Sequence, residues 1–198
     1  MAGKVQERQA KLRERLIDAG EAQVIVGGLV SMKARDLAAE AGCSLGAIYN
    51  VFDDLAALAM AINARTFARM GKVVAASQMG TAAVDPNERL VLMSNAYLHF
   101  AAENANLWRA LFDIEMSTDT RVPAWYLDEL GRLFSFIAAP LAELFPEKNK
   151  TELDLMTRAL FSSVHGIVLL GLEKRISAVP IAQVEEMIRQ LLFQIGNK

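Results

Sequence analysis

The chain has 198 residues, 53% of them hydrophobic, with a net charge of −2 and one cysteine. That supports a substantial core, and the lone Cys43 excludes a disulfide framework and suits a reducing compartment. The N-terminus carries no apolar signal core, and the longest apolar runs, near Phe136 to Leu141 and Ile167 to Leu170, are too short for a bilayer; a soluble, cytoplasmic protein without membrane contact is expected.

Alanine, leucine and methionine dominate and β-branched runs are scarce, which predicts an all-α fold. Charge is uneven along it. Residues 1–72 hold ten Lys/Arg against eight Asp/Glu, and the first fifteen hold five against two, so a basic arm precedes an acidic remainder. Leu12, Leu16, Ala19 and Gln23 recur at helical spacing, and Gly27-Gly28 ends that helix. A second short helix is predicted through KARDLAAEAG, with Leu37 and Ala38 inward and Gly42 closing it. Ser44 is placed to cap a third, which carries Leu45, Ile48, Tyr49 and Phe52. From Asp54 one longer helix runs to about Gly80.

The stretch TAAVDPNER reads as a boundary, with Asp85 as cap and Pro86 in a first turn. Apolar segments follow over about 86–104, 106–116, 123–145, 151–173 and 180–196, and Pro140 is expected to kink or split the third. The predicted organisation is a helix-turn-helix head over 1–53, a connecting helix over 54–80 and a larger helical body over 81–198.

Two short helices joined by a glycine-containing turn make a helix-turn-helix, whose second helix enters the DNA major groove. Spacing alone fits an ordinary helical hairpin equally well. The groove reading gives the small residues Ser44, Gly46 and Ala47 a purpose, since bulk there would hold the helix away from the bases. Tyr49 and Asn50 can reach phosphates or base edges.

The run ARDLAAEAGCSLGAIYNVFDDLAALAMAI resembles the DNA-binding head of the TetR family of bacterial repressors. The matching positions are Leu37-Ala38, Ala41-Gly42, Gly46, Ile48-Tyr49, Phe52 and Leu55. The resemblance implies an all-helical homodimer whose short second helix reads an operator in double-stranded DNA and whose body binds a small-molecule effector. It makes Arg35, Ser44, Leu45, Ala47 and Asn50 the candidates for base-edge contact, Gly46 the point of close approach, and Lys33, Tyr49 and the basic arm (Arg8, Lys11, Arg13 or Arg15) candidates for phosphate. Two positions depart: Asp53-Asp54 stand where the family usually carries a lysine, and Lys33 where it often has a threonine.

A second resemblance, carried by NAYLHFAAENANLWRALFDIEM and ALFSSVHGIVLLGLE, is to the TetR C-terminal domain type with a Trp-His-Gly signature; His165-Gly166 match and Phe161 takes the tryptophan's place. On that basis Met93, Tyr97, Phe100, Trp108, Phe112, Trp125, Phe134 and His165 are candidate ligand-lining residues, although stripes at helical spacing are more often core. Such a lining suits a mainly apolar or aromatic effector. Segments 151–173 and 180–196 carry more apolar surface than one layer needs, which predicts homodimerisation through them.

Catalysis is not expected. The chain has two histidines, no nucleophile elbow and no phosphate-cradling glycine loop. His99 and Glu103 stand at i, i+4, but paired metal-binding repeats are missing, so neither metal nor cofactor is called for. The alternatives are a helical small-molecule carrier with a degenerate head and, more weakly, a helical-bundle enzyme.

Overall fold

The computed structural model describes residues 2–113, 123–173 and 179–195. Among these the fold is all-α, with no strand. In chain order the helices are α1 (Ala2–Gly27), α2 (Ala34–Glu40), α3 (Leu45–Tyr49), α4 (Leu55–Ser77), α5 (Pro86–Glu103), α6 (Ala105–Ala110), α7 (Ala124–Leu144), α8 (Lys150–Leu172) and α9 (Ile181–Phe193), with a 3-10 turn at Leu29–Ser31. The ends of the predicted segments 106–116 and 180–196 fall partly outside the described residues.

Packing groups the described residues into two compact units, those within 1–68 and 104–122, and those within 69–103 and 123–198. Helix α4 starts in the first and finishes in the second. The first unit is centred on Leu16, Ile17 and Val24 of α1, Leu37 and Ala38 of α2, Ile48 of α3, Phe52, and Leu58 and Ile62 of α4. Leu107 and Ala110 of α6 belong to the same core. Each large apolar side chain so buried contributes about 1.5–3 kcal/mol. Polar bonds fix α6 there: Asn63 Nδ2 donates to the Ala110 carbonyl at 2.7 Å and Asn106 Nδ2 to the Ile25 carbonyl at 2.9 Å.

The second unit holds α5 and α7–α9. Leu90, Val91, Met93, Leu98 and Phe100 of α5, Leu160, Val164 and Val168 of α8, and Val184, Ile188 and Leu192 of α9 are buried. Asp85 caps α5 as expected, its Oδ1 accepting the Asn87 and Glu88 amides at 2.9 and 3.3 Å. Asn149 and Glu152 form a reciprocal capping box on α8.

Three local expectations change. Ser44 occupies the N-cap position of α3 with extended backbone but makes no side-chain capping bond. Pro140 does not split its segment: α7 runs through it, and Pro140 and Leu141 are its buried residues. A proline so near the C-terminus removes one backbone bond, and burial offsets that loss. Finally, α8 contains an 18-residue window of mean hydropathy 1.5, long and apolar enough to cross a membrane by length and composition alone. A search for unbroken apolar runs misses it because Ser162, Ser163, His165 and Gly166 interrupt the sequence. Only 22% of that window is buried, and the rest is half-buried or exposed.

Candidate nucleic-acid interface and body site

The turn between α2 and α3 shows why glycine stands at position 42. Its φ is +62°, the left-handed region that other residues enter at a cost of about 1–2 kcal/mol. That conformation lets the Gly42 amide donate to the Ala39 carbonyl at 3.2 Å and the Cys43 amide to the Ala38 carbonyl at 2.9 Å. This double closure is a Schellman motif. It reverses the chain so that α3 starts three residues after Gly42, anchored by the fully buried Ile48.

With Ile48 facing the core, the rest of α3 points outward. Ser44, Leu45, Gly46, Tyr49 and Asn50 are exposed and Ala47 is half-buried. A Cβ built on Gly46 would meet nothing within 4 Å, so packing does not require glycine there. Lys33 and Arg35, at the start of α2, are exposed too. Gln23 of α1 holds this helix start, its Oε1 accepting the Lys33 amide at 3.3 Å while its Nε2 donates to Glu40 at 3.1 Å. All eight residues singled out in the head therefore belong to α2, α3 and their flanks, within one compact unit.

The acidic pair after Phe52 separates into two roles. Asp54 Oδ1 accepts the Ala57 amide at 2.7 Å and caps the long helix α4, while Asp53 is exposed. Behind this face, Arg65 of α4 meets Glu14 and Asp18 of α1 at 2.6 Å each and Glu21 at 3.3 Å. Burial works to lower the Arg65 pKa, but these carboxylates outweigh it and hold the guanidinium firmly charged.

In the second unit, three of the proposed ligand-lining residues gather around Phe161. Tyr97 meets its ring edge-on at 6.0 Å, Phe134 edge-on at 5.3 Å, and His165 stacks on it at 5.7 Å. The Tyr97 hydroxyl and His165 Nδ1 share a hydrogen bond of 2.8 Å. Burial pushes the His165 pKa below the usual imidazole value, so the ring is neutral near pH 7. Met93 and Phe100 lie buried on α5 of the same unit. Trp125, on α7, is 43% exposed and packs edge-on against Tyr126. Trp108 and Phe112, by contrast, belong to the first unit and pack edge-on against each other at 5.7 Å. Phe161 itself was not among the candidates, although its spacing of four before His165 places both on one helix face. His99 lies elsewhere, bonded to Glu185 at 2.8 Å, and the described residues contain no group of three or more potential metal ligands.

A short helix presented outward behind a glycine-pinned turn, on an all-helical chain, defines the class of helix-turn-helix transcriptional regulators. The family model described as "Tetracyclin repressor-like, C-terminal domain" matches residues 90–194, more than half of the chain. The chain belongs to the TetR family of transcriptional regulators. A TetR regulator from Rhodococcus sp. RHA1 matches with a TM-score of 0.62 at 20% identity, over 94% of this chain and 96% of that one. RolR, solved with resorcinol, matches at 0.69 and 18% identity over 97% and 90%. PfmR of Thermus thermophilus matches at 0.63 and 15% over 93% and 100%. No curated protein matches the chain by sequence.

Proposed function

We propose that the protein is a ligand-responsive repressor that binds a pseudo-palindromic operator as a homodimer and leaves it when a small, mainly apolar or aromatic inducer binds. The outward face of α3, left open at Gly46, carries this reading. Arg35, Ser44, Leu45, Ala47 and Asn50 read base edges, Lys33 and Tyr49 hold phosphates, and Gly46 allows close approach. The working division is a head over 1–53, a connecting helix over 54–80 and a body over 81–198.

One short helix reads few base pairs, so specificity asks for two heads on a two-fold axis. The support for pairing is the outward surface of α8 and α9, where Leu155, Leu170, Ile181, Met187 and Phe193 are 37–64% exposed. Inducer bound at the aromatic cluster, with Met93, Phe100 and Trp125 nearby in sequence, shifts the connecting helix and changes the spacing of the heads. The ligand must prefer the non-binding spacing for this to work. Resorcinol in RolR sets the kind of molecule to try first, a hydroxylated single ring: apolar aromatic walls with one polar Tyr-His pair suit it.

Selection of DNA from a random library by the purified protein tests the reading. An enriched inverted repeat is expected, and its release by hydroxylated monoaromatics is then measured. No enrichment at low salt removes the regulator reading in favour of a ligand carrier.

A further inference from the structure

Helix α1 begins well before it has anything to pack against. Residues 3–11 are exposed without exception, and the first half-buried side chain is Leu12. An extension of this length, burying nothing, has no packing reason to be there.

Its charges are sorted by face. At about 100° per residue, Lys4, Arg8, Lys11 and Arg15 fall within about 60° of arc. Glu14, Asp18 and Glu21 lie on the adjoining arc and are engaged by Arg65 of α4. The basic stripe is left facing solvent. Among the described residues Lys4, Arg8 and Arg15 form no ion pair, and Lys11 pairs only with the solvated Glu7 at 2.7 Å. Such an exposed i, i+4 pair is weakly held and exchanges readily for another anion.

The stripe leads to the reading face. Arg15 Nη1 stands 3.8 Å from the position a Cβ on Gly42 would occupy, at the turn before α3. At the other end of α3, the Arg13 guanidinium lies 5.1 Å over the Phe52 ring, next to the exposed Asp53. Two arginines from α1 thus stand at the two ends of the short helix, Arg15 on the stripe and Arg13 off it.

We infer that the N-terminal extension of α1 is a second DNA-contacting element, a basic stripe of Lys4, Arg8, Lys11 and Arg15 that follows the phosphate backbone beside the groove α3 occupies. The inference rests on the DNA-binding reading of the head. From residue 4 to 15 the stripe runs about 16 Å, the axial rise of roughly five phosphates of one strand.

The test is binding of the full-length protein to a fluorescein-labelled 24-base-pair random-sequence duplex, as a function of salt. Replacing all four residues by Gln (K4Q/R8Q/K11Q/R15Q) should reduce the slope of log affinity against log salt by about 2–4 per head. Affinity near 150 mM salt should fall at least tenfold. The charge-preserving set K4R/R8K/K11R/R15K should keep the wild-type slope, and K148Q/K150Q in the body should leave it unchanged. Equal slopes for the wild type and the Gln set, with both folded by circular dichroism, overturn the stripe while the head reading stands. A wild type that binds no duplex at low salt overturns both.

Discussion

At the residue scale, the two aspartates after Phe52 separate a stability role from an electrostatic one. Asp54 caps α4, so Asp54→Ala should lower stability by about 1 kcal/mol in urea unfolding. Asp53 is exposed and makes no such bond; Asp53→Asn should leave the unfolding midpoint in place and tighten DNA binding at matched salt. Gly46 allows an equally clean separation. Open space surrounds its missing side chain, so Gly46→Gln should retain the thermal midpoint within a few degrees and abolish operator binding. A large loss of stability would return Gly46 to a packing role. His165 supplies a pH signature. Its folded pKa lies below the unfolded value of about 6.5, so the unfolded chain takes up the proton first. Stability is complete above that value and declines as pH falls through it. His165→Gln should flatten this loss between pH 7 and 5 in thermal melts.

Among the elements, those with strong local signals were the readable ones. Gly42 marks the end of α2 because only a left-handed residue closes that turn, and Asp85 with Pro86 marks the start of α5. Ser44 shows the limit of such signals: residue type placed the cap position, but hydroxyl geometry decides whether the bond forms. Helix α8 hides its apolar character for another reason. Its outward stripe mixes Leu155 and Leu170 with the small residues Ala159, Ser162 and Ser163, which dilute any run-based measure while still giving a smooth contact surface. If two copies meet there, Ala159→Glu should place a charge at the seam and halve the apparent mass in light scattering at micromolar concentration. An unchanged mass would remove α8 from the dimer interface.

For the whole molecule, the all-helical class was legible in the sequence and the packing partner of each segment was not. Nothing in NLWRAL announces that Leu107 and Ala110 complete the core formed by α1–α4, because an apolar stripe states that it will be buried and never against what. By the same rule Trp108 and Phe112 join the unit of that core, while Tyr97, Phe134 and His165 join the other. Asn63 reports on this long-range join. Asn63→Ala leaves the Ala110 carbonyl without its 2.7 Å donor and should cost about 1–3 kcal/mol. Hydrogen exchange should speed up in both α4 and α6.

The interleaving of the two units also governs how the protein can be taken apart. A builder of hybrid sensors who joins this head to a foreign body would cut within the connecting helix and discard everything after it. That cut discards Leu107 and Ala110, which are 3% and 1% exposed, and opens a hole in the core of the transplanted piece. Cavities of this kind cost about 2–5 kcal/mol, a large part of what a small domain has. A working hybrid must therefore carry residues 104–113 with the head, as a graft of two separate segments.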